Sequence, residues 1–169
     1  MANKALLKSN KCDDFQTPPE ALYPLLPYLP HRIWECACGQ GVLTDYLRKN
    51  SFEVIATDIK DGNNFLSWCP PLNSFDAIVT NPPYTLKDDF LKRCYYLQKP
   101  FALLMPLTTL EGKQRQHLLE AFGIEIILLD KRINFITPSG EGSGSWFATA
   151  WFTNGLHGLN SQITFGKLK

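Results

Sequence analysis

The sequence predicts an α/β fold in one domain, with a mostly parallel central sheet, helices on both of its faces and an antiparallel strand at the end. Three observations predict it. Short apolar runs alternate along the chain with stretches whose apolar residues recur at helical spacing. The first of these runs, residues 32–37, leads into a glycine turn and then a helix, as at the start of a strand-helix-strand unit. The last two runs, Glu125–Leu129 and residues 146–153, have no convincing helical stretch between them, which suits a reversal of strand direction. At 169 residues and 44% hydrophobic content, the chain is long enough to bury a core, and we assign residues 1–169 to a single domain.

The elements follow in order. Thr17-Pro18-Pro19-Glu20 is a helix-start signal, and the apolar stretch 21–29 after it predicts a helix despite Pro24 and Pro27. A strand over 32–37 runs into Cys38-Gly39-Gln40-Gly41, and helical spacing predicts a helix over 42–48. The next strand, 52–57, ends in Asp58. A buried parallel strand over 75–79 ends in Asn81-Pro82-Pro83-Tyr84. Phe90, Leu91, Cys94, Tyr95 and Leu97 define a helix over 85–98, residues 100–106 form a buried strand, and Leu118, Leu119 and Phe122 give the inner face of a helix over 112–122. Residues 136–145, rich in Gly and Ser, are expected as a flexible loop. The tail, 155–169, carries no clear signal.

Composition narrows the function classes. The net charge of +1 gives no global basic footprint of the kind that announces nucleic acid by itself. Local clusters remain, with Lys87, Lys92 and Arg93 after the Asn-Pro-Pro-Tyr segment and Lys113, Arg115, Lys131 and Arg132 farther on. No apolar run approaches the roughly eighteen residues of a membrane span and no signal core follows the N-terminus, so no membrane association and a cytoplasmic location are expected. The five cysteines lack a second pair to complete a four-ligand site with Cys36 and Cys38, so no metal is expected. His31, His117 and His157 are isolated in sequence.

The chemistry concentrates at strand ends. In Asn81-Pro82-Pro83-Tyr84, two prolines fix their own φ and push each preceding residue toward extended geometry, which pre-sets the Asn81 amide, the Pro82 carbonyl and the Tyr84 ring. Two acceptors beside an aromatic face suit a planar group bearing an NH2; the plain alternative is a proline-rich loop with a packed tyrosine. Gly39 and Gly41 let the backbone approach a ligand where a helix start offers unpaired N–H groups. Asp58 stands about as far beyond this turn as the acidic residue that holds a ribose in nucleotide-binding units, although it equally suits a turn cap before Lys60-Asp61-Gly62.

In this order, these pieces resemble the class I S-adenosylmethionine (SAM) dependent amino-methyltransferases, over about residues 15–153. Glu35, Cys36, Gly39 and Gly41 resemble the family's first SAM motif. Asn64 and Phe65 resemble its third, where Asn64 replaces the commoner aspartate and accepts a hydrogen bond without charge assistance. Gln16, Thr17 and Pro18 resemble the segment that closes over the methionine end of SAM, with a helix cap the alternative for Thr17. The resemblance implies a Rossmann-like fold, SAM as cofactor, and Asn81, Pro82, Pro83 and Tyr84 as the catalytic tip, with Asn81 also facing the cofactor. The motif order is most similar to that of small phage or prophage-type enzymes acting on N6 of adenine, so DNA is the expected partner. Cytosine N4, an RNA base, a protein glutamine amide and a non-catalytic SAM-binding subunit are the alternatives. No separate target-recognition region is evident, so specificity is expected to be loose or supplied by a protein partner.

Overall fold

The computed structural model describes residues 15–136, 142–144 and 147–168. Among these residues the strands are β1 (Arg32–Glu35), β2 (Glu53–Ala56), β3 (Ala77–Thr80), β4 (Phe101–Pro106), β5 (Glu125–Leu129), β6 (Asn134–Ile136), β7 (Gly142–Gly144), β8 (Thr149–Asn154) and β9 (Ile163–Gly166). The sheet order is β2-β1-β3-β4-β8-β5-β9, and β6 and β7 form a separate antiparallel ribbon. Neighbours β2, β1, β3 and β4 run parallel, and so do β5 and β9. β8 runs antiparallel to both β4 and β5, inserted between them. The mostly parallel sheet is the one the sequence predicts, and its reversed strand comes late in the chain.

Strand side chains alternate between two cores because successive residues point to opposite faces. On one face Ile33, Val79, Leu104, Ile127 and Trp151 pack with Leu43 and Leu47 of α1 (Val42–Lys49). On the other, Trp34, Ile78, Leu103, Ile126 and Phe152 lie beneath α2 (Lys87–Leu97) and α3 (Lys113–Phe122), with Phe90, Leu91, Cys94 and Leu119 as the helical contacts. Helices therefore cover both faces. Among the described residues no helix is long and apolar enough to cross a membrane.

Three expectations require correction. The predicted helix over 21–29 is instead two short 3-10 turns, Pro19–Leu22 and Leu26–Tyr28. Pro24 and Pro27 cannot donate a backbone hydrogen bond and their rings clash with the preceding turn, so α-helical bonding cannot propagate. The apolar residues remain in the core even so. Ala21, Leu22 and Leu25 are buried, and the Trp151 indole N–H donates to the Ala21 carbonyl at 2.7 Å. The loop expected over 136–145 contributes both its first residue, Ile136, and Gly142–Gly144 to the β6–β7 ribbon; residues 137–141 and 145, and Trp146 at the start of the predicted last strand, lie outside the described residues. Finally, the tail supplies the edge strand β9.

Candidate active site

The chain passes from β1 through α1 to β2 on one side and returns with β3 on the other, so β1 sits at a topological switch point. Parallel pairing brings the carboxyl ends of β1, β2 and β3 to the same sheet edge, and ligands of open α/β sheets bind in the crevice outside such ends. A cavity of about 350 Å3 lies there, within the roughly 300–1,000 Å3 typical of small-molecule sites. Its wall takes Gln16 and Thr17 from the N-terminal segment, Glu35, Cys36 and Gly39 after β1, and Asp58 after β2. Asn64 and Phe65 come from the next turn, and Asn81, Pro82 and Pro83 from the end of β3. Pro18, Gly41 and Tyr84 stand outside the wall.

The two glycines of the turn do different things. At Gly39 (φ 55°) a Cβ would stand 3.3 Å from the Gln16 amide, whose Oε1 accepts from the Gln40 N–H at 3.4 Å. Gly39 thus allows a close approach. Gly41 (φ 83°) precedes α1 with no atom within 4 Å of a Cβ position, so its left-handed conformation, not crowding, calls for glycine. Pro18 precedes the turn Pro19–Leu22 in extended geometry (ψ 145°).

Asp58 is buried, and its carboxylate is already engaged at both oxygens. Oδ2 accepts from the Gly39 N–H at 2.9 Å and Oδ1 from the Lys60 N–H at 3.0 Å. It therefore caps the turn Ile59–Asp61 while facing the cavity, and ties the end of β2 to the glycine turn after β1. Glu35 is also buried and accepts from the Thr44 hydroxyl of α1. Burial pushes its carboxyl up to about 7, against the opposing hydrogen bond from Thr44. Burial likewise raises the Cys38 thiol to about 11 and holds Cys36 well above the usual thiol range, so both are protonated at neutral pH.

Asn64 Oδ1 accepts from the Leu66 N–H at 3.0 Å, closing a local turn. Phe65 is almost wholly buried, with its ring centroid 5.2 Å from Trp34 and 4.6 Å from Phe90. Asn81 differs from these. Its Oδ1 is buried and has no hydrogen-bond partner among the described residues. Leaving a buried acceptor uncompensated costs about 1–3 kcal/mol, so such an atom invites a donor.

Tyr84 opens a short turn, Tyr84–Leu86, ahead of α2 and packs edge-on against Phe135 (6.4 Å) and Phe147 (5.7 Å). Of the basic residues near the site, Arg115 is paired with Asp88 at 3.1 Å and Lys87 donates to the Tyr84 carbonyl at 3.4 Å. Arg93 lies over the Tyr96 ring, while Lys92, Lys113, Lys131 and Arg132 are exposed. Phe15, Ile59, Lys60, Leu86 and Phe90 also line the cavity, although sequence reasoning assigned them no role there. Ile59 carried a usable signal, being an apolar residue directly after the strand-ending carboxylate that packing leaves 46% exposed.

No family model matches the chain, and no curated protein matches it. Solved structures do. The methyltransferase subunit of a type I restriction-modification system from Streptococcus thermophilus superposes with a TM-score of 0.57 at 17% identity, covering 94% of this chain and 48% of that one. The chain has the class I methyltransferase fold. The 23S rRNA methyltransferase ErmE shares it, with a TM-score of 0.52 at 15% identity over 80% of this chain and 67% of its own. This chain thus spans about half the length of the restriction-modification subunit. Within its class I methyltransferase fold, the cavity occupies the switch point between β2, β1 and β3.

Proposed function

We propose that the protein is a SAM-dependent methyltransferase acting on an exocyclic amino nitrogen of a nucleobase, with N6 of adenine in DNA as the acceptor. The observation that carries this reading is the Asn81 Oδ1 atom, a buried acceptor without a partner among the described residues, in a residue that lines a cofactor-sized cavity. An amide oxygen held between a strand end and two prolines suits an N–H donor of the acceptor amine.

The wall residues fit SAM. Asp58 offers the remaining lone pairs of its carboxylate to ribose hydroxyls, and Gln16, Thr17 and Gly39 border the same space. Asn64 and Phe65 would hold the adenine end, although the Asn64 oxygen already accepts one backbone hydrogen bond. When bound, SAM supplies an electrophilic methyl group on a sulfonium.

The chain's own part is to hold and prepare the acceptor amine. An amino nitrogen conjugated to a ring is a poor nucleophile because its lone pair is delocalised. Asn81 Oδ1 and the Pro82 carbonyl each accept one N–H of the acceptor amine. Holding both N–H bonds in this way favours a pyramidal nitrogen whose lone pair, already perpendicular to the ring, is withdrawn from conjugation and aimed at the methyl donor. The two acceptors bind the nitrogen more strongly as positive charge develops on it, so their stabilisation is greatest in the transition state. The surplus proton of the methylated amine passes to water. Tyr84 provides a face for the base, and in duplex DNA the base must first be extruded from the stack. Target recognition is loose or supplied by a protein partner.

The test is transfer of radiolabelled methyl from SAM to duplex DNA, single-stranded DNA, total RNA and cell-extract protein, followed by nucleoside analysis. N6-methyladenine in DNA is the expected product. Label confined to RNA or protein would retain the acceptor chemistry and replace the substrate class. SAM binding without transfer to any of these would overturn the enzymatic reading in favour of a binding subunit.

A further inference from the structure

Tyr84 is held by two phenylalanines that do not line the cavity. Phe135, in the middle of β6, is 4% exposed, and Phe147 is half-buried ahead of β8. The two phenyl rings lie nearly parallel (29°) with centroids 6.3 Å apart, and the Tyr84 ring stands against both at 85° and 75°. This is edge-to-face packing, in which the positive ring edge meets the negative ring face. Neither phenylalanine lines the cavity. The same ribbon is fastened at its next residue, where Ile136 and Gln16 exchange two backbone hydrogen bonds of 2.9 Å.

We infer that Phe135 is a positioning residue for Tyr84, through which the β6–β7 ribbon fixes the ring on which a planar acceptor base stacks. The inference rests on the nucleobase reading above. A tyrosine at the start of a short turn has a rotatable side chain, and stacking onto it is strong only if its ring is already fixed when the base arrives. Phe135 supplies that restraint from a different part of the chain, so acceptor binding depends on a side chain that the wall of the cofactor cavity does not include.

The experiment is a double-mutant cycle on acceptor binding, read by fluorescence anisotropy with a short single-stranded oligodeoxynucleotide carrying one adenine. It is run in the presence of S-adenosylhomocysteine, which lacks the transferable methyl. Phe135→Ala is expected to weaken oligonucleotide binding roughly threefold to tenfold, while Phe135→Tyr, which keeps a ring, retains it. SAM affinity stays within about twofold in each variant, a difference too small to register as a lost contact. In a Tyr84→Ala background, Phe135→Ala has no further effect, because its action passes through Tyr84. If Phe135→Ala does not fold, Phe135→Leu preserves the apolar volume while removing the ring. Additive losses from Tyr84→Ala and Phe135→Ala, or an equal loss of SAM affinity, would overturn the inference and leave the nucleobase reading standing. A Tyr84→Ala variant with unchanged oligonucleotide binding would overturn both.

Discussion

Glu35 and Asp58 close adjacent parallel strands, but only Asp58 is bound by two backbone N–H groups. Glu35 is buried against the Thr44 hydroxyl, and its carboxyl is raised from 4.5 to about 7. The folded chain therefore holds this proton more tightly than the unfolded chain does. Stability associated with the protonated form is complete below about pH 4.5 and declines as pH rises toward 7, by about 3 kcal/mol in all. Glu35→Gln keeps an acceptor for Thr44 and removes the titration. Denaturant unfolding between about pH 5 and pH 8 should thus show a decline in the parent that is absent in the variant, and equal pH dependence would contradict the account. Asp58→Ala should weaken SAM binding about tenfold or more through loss of a charged acceptor. It should also cost about 1 kcal/mol of stability through loss of the turn cap. Calorimetry showing unchanged affinity would leave Asp58 a purely structural role. Much of this site was legible because strand ends can be located from apolar runs and parallel strands bring their ends together. What could not be read was which hydrogen-bonding groups are already engaged. The sequence does not reveal that Asn64 closes its own turn while the Asn81 oxygen has no partner among the described residues.

At the scale of elements, local propensity and tertiary packing disagree in specific places. The apolar spacing over 21–29 reports burial correctly, but Pro24 and Pro27 forbid the helix that such spacing ordinarily implies. Strand β9 escaped notice because it is an edge. Ile163 and Phe165 are 53% and 83% exposed, so no buried alternation marks the segment. The ribbon was hidden for another reason. Gly-Ser composition reads as a loop, and its pairing depends on a partner strand that composition does not indicate. Gly41 provides a test at this scale. With φ at 83° and open space around it, Gly41→Ala should destabilise the protein by about 1–2 kcal/mol through backbone strain alone. SAM affinity should remain unchanged, because Gly41 lies outside the cavity wall. A stability loss accompanied by weaker SAM binding would instead tie Gly41 to the cofactor.

For the whole molecule, the order of strands and helices carried most of the information. Strand-helix alternation implies parallel pairing with right-handed crossovers, and the observed order β2-β1-β3 then places the switch point, and with it the cavity, beside β1. The insertion of β8 between β4 and β5 was not legible, since both flanking strands are reached through distant sequence. Charge acts at this scale as well. With a net charge of +1 and Arg115 already paired with Asp88, nucleic-acid binding should rest on few phosphate contacts. A plot of log affinity against log salt should then have a shallow slope, of magnitude about 2 to 4, and a slope near 8 would instead require a continuous basic face. The proposed transfer depends finally on the Asn81 oxygen. The most direct measurement compares the parent with Asn81→Ala, taking SAM affinity by calorimetry and methyl transfer to adenine-containing DNA side by side. The account predicts transfer reduced about a hundredfold or more with SAM affinity nearly unchanged, because the amide holds the acceptor amine. Retained transfer, or SAM affinity lost in parallel with it, would contradict that claim.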